Sequence, residues 1–301
     1  MRDPNYWKRY LVETDVEDMD ANLKATGFGS GGEALELIRF EKGKGQPSIL
    51  VSPGSGGHAY VFGELAYRMH ARGYNVFIMP KHGGRTITDL VHRHEDALRS
   101  IARLCNDRIG IFAEGLGGYA SFYVALAHGP VRSIVRQNSP AILNEREFHD
   151  AMLQGKGSAR RRRAILPLAR ILATVLPGLR LPISVYLDFR ELVDSKEDNR
   201  RIEARIVEAY LRDPHFDRSY PLSAIVSLVL TPPTRSLAEL ETPTMFLVPV
   251  RGFVPSYVKG LLERLPPITK RLVEVDGGVF WMVSHPREAA DLICDWFDET
   301  L

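Results

Sequence analysis

The chain has 301 residues, 45% of them hydrophobic and 25% charged, enough for one large core or a core plus an insertion of about 100 residues. A formal net charge of +2 gives no electrostatic case for nucleic acid as the main partner. The two cysteines, Cys105 and Cys294, have neither metal-ligand nor redox spacing and supply no disulfide framework, which fits a reducing compartment.

The opening residues, Met1 to Trp7, lack the apolar stretch of a signal peptide, and no run of about 18 apolar residues marks a membrane span. The expectation is a soluble cytoplasmic protein. Ala34 to Phe40 alternates as an early strand does. Ser48 to Ser52 is a compact buried strand that ends at Pro53-Gly54-Ser55-Gly56-Gly57. A helix follows over Val61 to Arg72, stopped by Gly73. Asn75 to Met79 is the next strand, and Thr88 to Leu104 carries helical spacing. Arg108 to Phe112 is a strand that runs directly into Glu114-Gly115-Leu116-Gly117-Gly118 and another helix. Ser133 to Val135 is a further strand, ending at Asn138-Ser139-Pro140. This alternation predicts a mostly parallel twisted sheet with helices on both faces.

From about residue 141 to 240 strand signals vanish, and helices broken by Pro and Gly are expected, among them Arg201 to Arg212. Strands resume at Thr244 to Val248 and Arg271 to Val275, and a helix over Pro286 to Phe297 closes the chain. The expected organisation is one α/β core, residues 1–140 and 241–301, interrupted by a helical lid over 141–240. Within the lid, Arg160-Arg161-Arg162-Arg163 runs into an apolar stretch through Leu172. Basic residues beside an apolar stripe suit weak contact with an anionic membrane surface; the alternative is a helix packed on the core with a solvated basic end. Liposome flotation separates the two: equal recovery on anionic and neutral vesicles would end the membrane reading.

In open α/β sheets, ligands bind outside the carboxyl ends of the strands, and here each of those ends is a turn of small residues. The tightest is Phe112-Ala113-Glu114-Gly115-Leu116-Gly117-Gly118. Ala113 and Gly117 are small where strand and helix backbones nearly touch, and Gly118 allows close helix packing. With this elbow, the glycine turn at Pro53 to Gly57, the inserted helices and the last two strands, the chain resembles the α/β-hydrolase superfamily. It looks closest to lidded lipases and esterases of the monoacylglycerol lipase and lysophospholipase type, whose elbow reads G-x-S-x-G.

The resemblance implies a catalytic triad, and the sequence departs from it at all three places. Gly115 stands where the nucleophilic serine is expected, Gly252 where the acid is expected, and Val279 where the histidine is expected. Glycine cannot attack a carbonyl, but it relieves the backbone strain of the elbow, about 1–3 kcal/mol for other residues. The resemblance also implies oxyanion-type backbone donors at Leu116 and near Gly54 and Ser55.

Other polar groups have two readings each. Glu114 is a general base if its side chain faces the cavity, or a structural hydrogen-bonding group if it points away. His82, beside Lys81, is a proton shuttle or a turn-stabilising histidine. Asn138 and Ser139 line the pocket or cap a loop, and Trp281 is assigned to the pocket wall. His285 replaces the missing histidine only if its loop refolds, and Asp276 reads as a turn former. No metal cluster or dinucleotide fingerprint occurs, and Gly54-Ser55-Gly56-Gly57 lacks the GK[ST] ending of a phosphate loop, so no cofactor is implied. The expected partner is a small hydrophobic or acyl-like molecule. Three functions fit these residues: a non-hydrolytic enzyme of the lyase, isomerase or cyclase type, a non-catalytic ligand-binding pseudoenzyme, and an inactivated carboxylic-ester hydrolase.

Overall fold

The computed structural model describes residues 6–13, 16–139, 168–176, 178–185, 187–252 and 255–301. An eight-stranded sheet runs through its centre. Its strands are β1 (Leu23–Ser30), β2 (Glu33–Phe40), β3 (Ser48–Ser52), β4 (Asn75–Ile78), β5 (Ile109–Glu114), β6 (Ser133–Gln137), β9 (Thr244–Pro249) and β10 (Lys270–Val275). They are ordered β1-β2-β4-β3-β5-β6-β9-β10. β2 pairs antiparallel with both β1 and β4, and the remaining pairings are parallel. The first hairpin was not expected from the sequence. Its signal is Gly31-Gly32, with φ of +56° and +80°, the geometry of a two-residue hairpin turn.

β3, β4 and β9 are buried at every position, because helices cover both faces of the sheet. Ile49, Val51, Phe112, Val135 and Met245 point into one apolar core, and Leu50, Ile111, Ala113, Ile134 and Phe246 into the other. The helices of the sheet are α1 (Val16–Asn22), α2 (Gly63–Ala71), α3 (Ile87–Leu104) and α4 (Gly115–Leu126). α4 is apolar around nearly its whole circumference and is buried accordingly.

Chain order creates the crevice. From β3 the chain passes through α2 to β4 on one side, then returns through α3 to β5 on the other side of β3. The loops leaving β3 and β5 therefore diverge, and a cleft opens between their carboxyl ends.

Between β6 and β9 the described residues include α5 (Glu197–Arg212) and α6 (Leu222–Leu230). They also include a small antiparallel sheet of β7 (Arg180–Pro182) and β8 (Ser219–Pro221), which corrects the expectation that strands vanish here. Each strand is three residues long, too short for an alternating pattern to be read. Arg160 to Arg163 lie outside the described residues. After β9 come α7 (Pro255–Arg264), β10, α8 (Trp281–Ser284) and α9 (Pro286–Thr300).

Two polar clusters tie the 187–230 segment to the rest. Arg251, after β9, donates to both carboxylate oxygens of Asp194 at 2.5 and 2.9 Å, and to Asp276, which also meets Lys196 at 2.7 Å. Asp276 is thus an ion-pair partner as well as a turn residue. Buried Glu203 accepts from the Asp194 amide and the Ser284 hydroxyl, and burial lifts its carboxyl to about 7. On the other flank, the fully buried carboxylate of Asp213 accepts from the hydroxyls of Tyr6 and Tyr10. Burial works to raise its pKa, but those two donors together with the His215 amide and His58 outweigh it and hold the group at about 2.

Because the Asp194 side chain is fully buried and Arg251 is 29% exposed, removing the guanidinium strands a carboxylate away from water. Arg251→Ala is expected to lower stability by about 3 kcal/mol in chemical denaturation at neutral pH. A loss below about 0.5 kcal/mol would mean the pair behaves as a solvated surface bridge.

Candidate functional site

β5 passes into α4 with no residue between them: Glu114 ends the strand and Gly115 begins the helix. Such a bend requires a left-handed residue, and Gly115 has φ +49°. The junction is pressed against the turn after β3. The Gly117 amide donates to the Pro53 carbonyl at 3.1 Å, and a Cβ on Gly117 would lie 2.5 Å from the Ser52 carbonyl oxygen and 2.6 Å from that of Pro53. By contrast, a Cβ on Gly115 would meet only Gly54 Cα at 3.4 Å and the Ser55 nitrogen at 3.8 Å. The space at Gly115 admits a side chain, and none is there.

Beside this junction lies a cavity of about 240 Å³. Its floor is Ser55, Gly57, Glu114, Gly115, Leu116 and Asn138, with Val279 from the loop after β10 and Met282 from α8. Leu187, Phe189, Leu192, Tyr210, Tyr220, Ile225 and Leu228, all between β6 and β9, form the opposite wall. The wall is held to the floor at the glycine turn. Tyr220 Oη accepts from the Gly56 amide at 2.7 Å, Tyr210 donates to the Ser55 carbonyl at 3.2 Å, and the Phe216 ring fills the place a Cβ on Gly56 would need.

Glu114 faces the cavity. Its carboxylate lies against Gly54, where a Cβ would come within 1.7 Å of Oε2. Burial raises its pKa to about 8, with partial relief from the Gly54 amide, which donates to the carboxylate. Gly54 therefore serves Glu114 and does not belong with the free oxyanion-type donors expected from the sequence. The Ser55 nitrogen flanks the Gly115 space, and Leu116 has its amide in the first turn of α4, where the helix provides no acceptor.

The other expected site residues divide. Asn138, at φ +50°, lines the cavity and donates from Nδ2 to the Val279 carbonyl at 2.7 Å. Its Oδ1 is buried without a hydrogen-bond partner and would be 2.9 Å from a Cβ on Gly252. The Asn138 amide thus occupies the gap between Gly252 and Val279. Sequence reading had no signal for this bridge, because three distant segments build it.

His82 is not in the cavity wall. It is buried behind the glycine turn, where Nε2 donates to the Pro53 carbonyl at 2.7 Å. Burial, then neighbouring His94, depresses its pKa to about 3, so it stays neutral and is ill suited to shuttle protons. Lys81 pairs with Asp217 at 2.9 Å. Ser139 does not line the cavity; it donates to the Gly115 carbonyl at 2.8 Å and accepts from Arg136, bracing the elbow from behind. Trp281 is likewise not in the wall but in the core, packed so closely on Gly277 that a Cβ there would come within 2.4 Å of its ring. His285 stacks on Trp281 and bonds Ser284, away from the lining residues. Among the described residues, no group of three or more His, Cys, Asp or Glu side chains is arranged to hold a metal ion, and no helix is long and apolar enough to cross a membrane.

The raised pKa of Glu114 has a consequence for stability. Between about 4.5 and 8 the folded protein keeps a proton that the unfolded chain has released, so this group's contribution to stability declines as pH rises through that window. Glu114→Gln keeps the neutral shape. Its melting temperature is expected to track wild type near pH 4 and to exceed it by about 2–4 °C at pH 9. Parallel profiles across that range would mean the carboxyl is not desolvated.

No family model matches the chain, and no curated protein matches it in sequence. Solved structures match it along nearly its whole length. The monoacylglycerol lipase of Paleococcus ferrophilus superposes with a TM-score of 0.64 at 16% identity, over 92% of this chain and 98% of that one. A soluble variant of the Saccharomyces cerevisiae monoglyceride lipase, solved with a substrate analog, gives 0.68 at 16% identity, over 97% and 98%. An α/β hydrolase from Penicillium sp. sh18 gives 0.68 at 15% identity, over 92% and 98%. Identity this low carries architecture and not activity. With its sheet order, its strand–helix elbow and these matches, the chain has the α/β-hydrolase fold.

Proposed function

We propose that this protein is a non-hydrolytic enzyme on a hydrolase scaffold, with a small apolar molecule held beneath a lid formed by the segment between β6 and β9. In this reading Gly115, Gly252 and Val279 stand at the three triad positions, and Glu114 is the proton carrier. The observation that carries it is the pairing of a cavity-facing carboxyl with a bare α-carbon at the next residue. A hydrolase of this fold needs an attacking hydroxyl at the bend and an imidazole to activate it. The bend here has no side chain, and no histidine is among the described cavity-lining residues. The Asn138 amide fills the gap that an acid–histidine pair would need. The apolar wall, with few polar groups converging at one end, supports a small-molecule site.

A fluorophosphonate probe together with p-nitrophenyl esters tests this. No serine is expected to label stoichiometrically, and ester cleavage is expected at the buffer rate. Gly115→Ser alone is expected to remain unlabelled, since no imidazole among the described lining residues is in place to activate the new hydroxyl. Stoichiometric labelling of any serine in the wild-type protein would restore ordinary ester hydrolysis.

A further inference from the structure

The polar end of the cavity restricts what it can accept. Among the described lining residues Glu114 is the one carboxylate, and none is a lysine, arginine or histidine. A charged ligand would enter without a counter-ion, at a cost of several kcal/mol. The described lining therefore suits an uncharged ligand. At about 240 Å³ the space exceeds the ~150 Å³ of an apolar cavity that holds benzene, so a one- or two-ring molecule fits.

The reacting groups surround one point, the empty position above Gly115. Glu114 ends the strand beside it with its carboxylate against Gly54, whose Cα is 3.4 Å from where the Cβ would be; the Ser55 nitrogen is 3.8 Å from the same place, and the Leu116 amide belongs to the first turn of α4. A base and N–H donors around a space with no nucleophile suit chemistry in which a proton leaves carbon and charge collects on oxygen. Building on the non-hydrolytic reading, we propose that the site moves a proton between carbons of an uncharged, ring-sized unsaturated carbonyl compound. The Glu114 carboxylate takes the proton from the carbon beside the carbonyl. The C–H electron pair becomes a C=C bond, and the carbonyl π pair moves to oxygen, where the Ser55 and Leu116 amides hold it. The carboxyl then returns the proton to another carbon of the conjugated system, so the product is an isomer and no oxidant or reductant takes part.

Other titratable groups facing Glu114 are Tyr210 from α5, Tyr220 from β8 and Tyr119 from α4. Burial pushes the Tyr210 hydroxyl well above its ordinary range, and Glu203, lifted to about 7, is not among the lining residues, so a rise in activity between pH 6 and 9 that is lost in Glu114→Gln belongs to Glu114.

The reporter is 5-nitrobenzisoxazole, uncharged and bicyclic, mixed with the full chain. A base removes its ring C–H proton, the N–O bond breaks, and the oxygen leaves as a phenolate, which makes the same demands on base and amide donors. Wild type is expected to open the ring at least about 100-fold faster than Glu114→Gln, with a rate that climbs through about pH 8. The Gln variant is expected to bind the reporter as wild type does in equilibrium dialysis. Equal rates in the two proteins, binding without turnover, or no binding at all would each overturn the proposal. So would a wild-type rate that is flat between pH 6 and 9, which decides the matter even if the variant does not fold. These outcomes are independent of the serine-probe result, which bears only on whether hydrolysis persists.

Discussion

The structure depends on one close approach: the first turn of α4 pressed against the loop that leaves β3. Gly117 lets the two backbones meet, and its amide bonds the Pro53 carbonyl. That contact brings the Gly54 amide to the Glu114 carboxyl and sets Ser55 beside the empty position on Gly115. A hydrogen bond to a single amide does not offset the loss of water around a carboxylate, so Glu114 holds its proton to about pH 8. The unusual chemistry of the group follows from the packing of two turns and from no other charge.

The opposite wall is positioned by polar anchors at its edges and by apolar contact across its middle. Arg251, Asp194 and Glu203 fix one flank, and Asp213 with Tyr6 and Tyr10 fixes the other. Between them, rings from the 187–230 segment stack among themselves and reach the glycine turn through Tyr210 and Tyr220. Such an arrangement leaves the described residues of this wall free of charged side chains while keeping its shape defined. The buried carboxylates that hold this segment, Asp194, Glu203 and Asp213, lie at its margins with hydrogen-bond partners, as desolvation requires.

The histidines show how position overrides residue type. His82 follows a strand end, as a site residue would, yet its ring turns behind the glycine turn and supports the Pro53 carbonyl. Ser139 ends a strand facing the cleft, yet its hydroxyl reaches back to Gly115. Each stabilises the elbow from the side away from the cavity. Asn138, one residue before Ser139, turns the other way because its backbone is left-handed, and so its amide spans Gly252 and Val279.

The amino-acid sequence by itself determined the strand–helix alternation, the sheet it builds, and the elbow at Glu114-Gly115-Leu116-Gly117, because these depend on local periodicity and on small residues at fixed spacing. It also carried the absence of a side chain at Gly115, Gly252 and of an imidazole at Val279. Only the tertiary structure decided which way Glu114, His82, Ser139 and Trp281 face, since each stands at a strand end or loop where side-chain direction follows from what packs against it. The β7–β8 pair, the Asn138 bridge and the clusters around Asp194 and Asp213 were likewise beyond local reading. Their partners are tens to hundreds of residues apart, and no periodicity in one segment records the contact it makes with another.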